Sequence, residues 1–230
     1  MKIFLVLFAI AGGIHITAIA LQKEWLRRVS KVLIIPFLLA AFFAGGGAGF
    51  ASGATTGGFF TILALVFGWI GDILLIKKNK RTIFKLGITS FLLGHLCYII
   101  TFLAILGFFS ANGGKINPLT MLLFTPVLLI GGIFVFGLIK PFKEMKVVII
   151  IYMFIIMSMC LWGFEVFFFN PNVAGALVFF GCLLFIISDT LLAYYAFRKL
   201  KVFPAAMIML SYIMAQTEIV MGLMSLLKHC

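Results

Sequence analysis

Apolar residues in this chain come in runs of about 20, separated by short breaks that carry nearly all of the charge. A helical run of that length, at about 1.5 Å per residue, matches the ~30 Å hydrocarbon core of a bilayer. Lipid offers the backbone no water to bond, so each run must pair its N–H and C=O groups within itself, as a helix. The pattern predicts eight spans, at 2–22, 32–51, 58–76, 86–109, 119–139, 147–168, 173–197 and 203–227. Periodicity inside a run adds little, because a helix wetted by lipid is apolar all round. The second run reaches Gly45-Gly46-Gly47, glycines that can break a helix. The first could pass for a cleaved signal peptide. It has a single Lys2 before it and no clear small-x-small cleavage site, so it is read as a span. The expectation is an all-α polytopic transmembrane bundle, one domain over residues 1–230.

Composition agrees with this reading and charge orients it. Only 10% of residues are charged, where a soluble domain carries about a quarter. The six acidic residues are too few to cover a water-facing surface. The net charge of +12 invites a nucleic-acid partner, but its distribution argues for none. Lys23, Arg27, Arg28 and Lys31 lie between spans 1 and 2, and Lys77, Lys78, Lys80, Arg81 and Lys85 between spans 3 and 4. Lys140, Lys143 and Lys146 lie between spans 5 and 6, and Arg198, Lys199 and Lys201 between spans 7 and 8. Alternate loops thus hold 15 of the 18 basic residues, against Lys2, Lys115 and Lys228 on the other side. This positive-inside pattern predicts both termini outside the cytoplasm, in a bacterial inner membrane or a membrane of endoplasmic-reticulum type. The basic loops then face anionic head groups. Cys97, Cys160, Cys182 and Cys230 include no C-x-x-C pair, so neither a disulfide framework nor a zinc site is expected.

An ionisable side chain inside a membrane helix costs several kcal/mol and is a functional candidate by default. His15, Asp72, His95, Glu165, Asp189 and Glu218 are such residues. Asp72 is 5 residues from Lys77, His15 is 8 from Lys23, Asp189 is 9 from Arg198, His95 is 10 from Lys85, and Tyr212 is 11 from Lys201. These counts place five polar groups from five helices roughly 8–17 Å inside the cytoplasmic boundary. One polar pocket in that half of the membrane is expected. Glu165 and Glu218 fall nearer the outer face, where structural or interfacial roles are expected.

Two of these residues share a local pattern. Gly71-Asp72-Ile73-Leu74-Leu75 and Ser188-Asp189-Thr190-Leu191-Leu192 are both small-Asp-x-Leu-Leu and both run toward a basic loop. His95 follows Asp72 by 23 residues, and Tyr212 follows Asp189 by the same interval. This reads as a degenerate parallel repeat relating spans 3–4 to spans 7–8. The small residue before each Asp lets a neighbouring helix approach closely. Two carboxyl groups brought into one apolar site can divide acid and base roles between them. Proton or cation transport would use the same pair, so the residues alone leave both readings open.

The chain resembles the YhhN-like, or lysoplasmalogenase, family of eight-span membrane proteins. The resemblance rests on Gly71-Asp72-x-Leu-Leu, Gly94-His95-x-x-Tyr98, Ser188-Asp189-x-Leu-Leu and Tyr212 with Ala215-Gln216, in this order and on these spans. It implies hydrolysis of the vinyl-ether bond of a lysoplasmalogen, giving a fatty aldehyde and a glycerophospho head-group alcohol. It makes Asp72 and Asp189 the catalytic candidates. His95, Tyr98, Tyr212 and Gln216 would orient them or bind the lysophospholipid substrate. No cofactor or metal is expected: His95 with two Asp could in principle hold an ion, but no H-E-x-x-H spacing is present. The competing readings are a small transporter or channel that uses the Asp pair and His95, and a lipid-organising protein without chemistry.

Overall fold

A computed structural model describes residues 1–46, 55–76, 81–110, 113–120, 122, 146–198 and 202–228. Seven long helices stand among them, and no strand does: α1 Lys2–Ala20, α2 Glu24–Ala44, α3 Thr55–Ile76, α4 Arg81–Ile105, α5 Lys146–Phe169, α6 Val173–Arg198 and α7 Val202–Leu226. Six of the seven, all but α2, are long and apolar enough to cross a membrane. The chain is an all-helical, multi-pass integral membrane protein. The expected fifth span, 119–139, lies outside the described residues apart from Leu119, Thr120 and Leu122.

The second span is corrected. It is expected from residue 32, but α2 starts eight residues earlier, at Glu24. Glu24 opens the first turn, where the helix dipole favours an acid, and its carboxylate meets Arg27 at 2.7 Å and Arg28 at 3.9 Å. Arg27, Arg28 and Lys31 are therefore helical, not loop residues. At the other end α2 stops at Ala44, and Gly46 takes φ +78°, a conformation that favours glycine. Residues 47–51 of the expected span lie outside the described residues. The other borders agree with expectation within about five residues, Arg81 and Lys85 again falling on a helix.

Neighbouring helices pack in chain order, and α7 closes the arrangement by packing on α6, α1 and α2. This makes α7 the most enclosed element, with 61% of its span buried against 33–44% in the other apolar spans. Pro36 sets how α3 meets α2. It has no N–H for the carbonyl of Val32, one turn back, and the indole Nε1 of Trp69 donates to that carbonyl at 2.8 Å. The two termini share one end of the bundle: a Cβ at Gly45 would lie 3.2 Å from Met1 Sδ, and one at Gly46 3.8 Å from Lys228 Cε.

The hairpins α3–α4 and α6–α7 are the most extensively packed pairs, and they are the two halves of the expected repeat. The residue before each Asp meets the same position of its partner helix. Gly71 faces the ring of Phe91, 20 residues on, and Ser188 Oγ donates to the carbonyl of Ile208, also 20 on. Close approach inside each hairpin falls to glycine. A Cβ on Gly94 would lie 3.2 Å from the carbonyl of Ala64, and one on Gly181 3.0 Å from that of Ala215.

Candidate active site

At the end of the bundle where α1 meets α2, a cavity of about 110 Å³ opens among α1, α2, α3, α4, α6 and α7. Asp72 and Asp189 both line it, with His15 and Tyr212. Four of the five polar groups expected at one depth therefore share one cavity. The fifth, His95, reaches it through Asp189.

Among the described residues, each aspartate is met by two polar side chains from other helices. Asp72 lies on α3, and its Oδ2 accepts the hydroxyl of Tyr212 on α7 at 2.9 Å. Lys31 Nζ, from α2, meets Asp72 Oδ1 at 3.2 Å. Asp189 lies on α6, and its Oδ2 meets His95 Nε2 of α4 at 3.2 Å and accepts a short hydrogen bond from the hydroxyl of Tyr152 on α5. His95 Nε2 also lies 3.0 Å from that hydroxyl. The repeat is thus crosswise: the acid of each hairpin bonds the ring at the equivalent position of the other. Phe185 packs edge-on against both His95 and Tyr212, at 5.0 and 5.6 Å between ring centroids, and fixes the two clusters side by side.

Tyr98 and Gln216 stand behind this layer. The Tyr98 hydroxyl donates to Gln216 Oε1 at 2.6 Å, and Gln216 Nε2 reaches the Tyr212 hydroxyl at 3.5 Å. Both are buried and neither lines the cavity, so they can orient Tyr212 without touching a ligand there. His15 donates to or accepts from Ser30 at 2.9 Å and ties α1 to α2. Glu165 is buried elsewhere and accepts the backbone N–H of Asn117 at 3.2 Å, joining α5 to the segment after α4. Its Oε1 has no partner among the described residues.

The profile of the YhhN family matches residues 26–223, most of the chain. The chain belongs to the YhhN family. The match takes in every residue of the two aspartate clusters and leaves out all of α1, including His15. No curated protein and no solved structure matches the chain.

Lys31 and Tyr152 are site residues that the sequence reading missed. Tyr152 could have been found by the depth count that found the others. It lies 6 residues from Lys146, roughly 9 Å in. A second, apolar cavity of about 50 Å³ adjoins the first. It lies between α4, α5 and α6, is lined by Ile88, Ile149, Tyr152 and Met153, and shares Phe84, Phe91, Asp189 and Leu192 with its neighbour.

Proposed function

We propose that this YhhN family member is a lysoplasmalogenase-like hydrolase that cleaves the vinyl-ether bond of a lysoplasmalogen inside the membrane. The observation that carries this reading is the convergence of Asp72 and Asp189, from two helices, on one cavity, each aimed by a tyrosine. Vinyl-ether cleavage can use such a pair. A carboxylic acid protonates the carbon β to oxygen, an oxocarbenium ion forms, and a carboxylate takes a proton from the water that attacks it. The hemiacetal then collapses to a fatty aldehyde and the glycerophospho alcohol. The division of labour parallels that of the two carboxyls of a glycosidase.

Asp72 stands in an ion pair with Lys31, which suits the carboxylate role. Among the described residues both hydrogen bonds to Asp189 fall on Oδ2, which leaves Oδ1 to carry the proton delivered to carbon. The apolar second cavity beside Asp189 suits the alkenyl chain. Tyr212 and Tyr152 hold the two carboxyls in register, and Gln216 and Tyr98 hold Tyr212.

The test is aldehyde and fatty-acid release by purified protein given a lysoplasmalogen and the matching ester lysophospholipid. Aldehyde from the vinyl ether alone is expected. D72N and D189N should each lower that rate by about 10²–10⁴-fold, the usual worth of positioned proton transfer, when assayed below each variant's thermal midpoint, since D72N also leaves Lys31 without its counter-charge. Full activity in both variants would sink the paired-carboxylate mechanism. A folded protein that releases no aldehyde but passes protons or cations across liposomes would establish the transport reading instead.

A further inference from the structure

We propose that Arg27 and Arg28, one helical turn nearer the mouth than the Lys31–Asp72 pair, form a subsite for the phosphate group of a single-chain glycerophospholipid. The inference deepens the hydrolase reading and rests on it for the position of the cleaved bond. All three cations line the cavity that holds Asp72 and Asp189. They lie one turn apart on one face of α2, since Lys31 follows Arg27 by four residues and Arg28 by three. Lys31 is the deepest and touches Asp72. Arg27 and Arg28 sit one turn nearer the mouth, with side chains 30% and 61% exposed.

The positive-inside pattern accounts for cations at this end of the bundle, but not for a cavity lined by three of them. Guanidinium groups pair with phosphate through two parallel N–H donors. Arg27 is held at 2.7 Å by Glu24, whose side chain is 59% exposed. Such an exposed pair is worth little and exchanges readily for a phosphate. Spacing adds a second argument. One helical turn, about 5.4 Å, separates the guanidinium level from the Lys31–Asp72 level. The glycerol unit spans a comparable distance between ether oxygen and phosphate. On the far side of Asp189 the second cavity offers apolar walls, Ile88, Ile149 and Met153, to a hydrocarbon chain. A ligand with an anion at one end and a single chain at the other thereby sets its ether bond beside the carboxyls.

The test is direct binding to the full chain in detergent, with three probes that carry no vinyl ether. These are an acyl lysophosphatidate, the monoacylglycerol of the same chain length, and inorganic phosphate. Wild type should bind the lysophosphatidate at least about tenfold more tightly than the monoacylglycerol, as expected of charge-assisted hydrogen bonds. R27Q/R28Q should abolish that preference while leaving monoacylglycerol affinity unchanged, which also shows that the variant is folded. R28Q alone should remove part of it. Equal affinity of wild type for the two lipids, or a parallel loss of both in the variant, overturns the subsite. Inorganic phosphate binding as tightly as the lysophosphatidate overturns the assignment to a lipid. A preference that R27Q/R28Q abolishes in a protein releasing no aldehyde supports the subsite and overturns the hydrolase reading. Aldehyde release without any phosphate preference overturns the subsite alone.

Discussion

Lys31 and Asp72 are each other's counter-charge in a place where water is scarce, with side chains only 16% and 4% exposed. Removing one member of such a pair leaves an uncompensated buried charge, which costs about 3–5 kcal/mol. K31M should therefore lower the thermal midpoint in detergent sharply. K31M/D72N should recover part of the loss, because the orphaned carboxylate is gone. A double variant no more stable than K31M would show that the pair is not the cause. The two aspartates, His95 and Tyr212 were legible in the sequence because polar groups inside an apolar run need a reason. Lys31 was not, since a lysine at the border of such a run looks like a loop residue. The overlooked sign was Glu24, three residues before Arg27 and four before Arg28, a spacing that supports a helix already under way. Tyr152 was overlooked because a tyrosine with an apolar body passes for packing until its hydroxyl is seen to have a partner.

Helices carry these residues into place by close approach, and glycine decides how close. Gly94 lets α4 come against the backbone of α3 and stands next to His95. A side chain there would meet the Ala64 carbonyl, Gly68 N and Phe67 Cβ within 3.2–3.7 Å. G94L should push α3 from α4, cost at least about 1–3 kcal/mol as overpacking does, and draw His95 from Asp189. Gly13, on the exposed face of α1 with nothing within 4 Å of its Cβ position, is the control. G13L should leave both the midpoint and aldehyde release unchanged, while G94L lowers both. Equal behaviour of the two would remove hairpin packing from the explanation of the site. The repeat was visible as two Asp motifs and a shared interval of 23 residues. Its crosswise bonding was not, because spacing along a chain says which residues correspond and nothing about which hairpin they face.

On the scale of the whole molecule, the Lys31–Asp72 site lies at one end of the bundle and the two termini at the other. Trp25, 75% exposed on the first turn of α2, is of the kind that settles at head-group level. Six residues further along that helix, about 9 Å, Lys31 marks the depth of the site. From the positive-inside pattern we propose that the site lies in the cytoplasmic half, and a labelling experiment tests this. In a Cys230→Ser background the remaining Cys97, Cys160 and Cys182 are buried and should stay silent toward a membrane-impermeant maleimide. Lys23→Cys, in the exposed turn between α1 and α2 at the site end, should label only after the cells are permeabilised. Lys115→Cys, exposed beyond α4 at the opposite end, should label in intact cells. The reverse result would place Arg27, Arg28 and both aspartates on the outer side. A lysophospholipid would then have to be drawn from the outer leaflet, and the basic loops would owe their charge to something other than orientation.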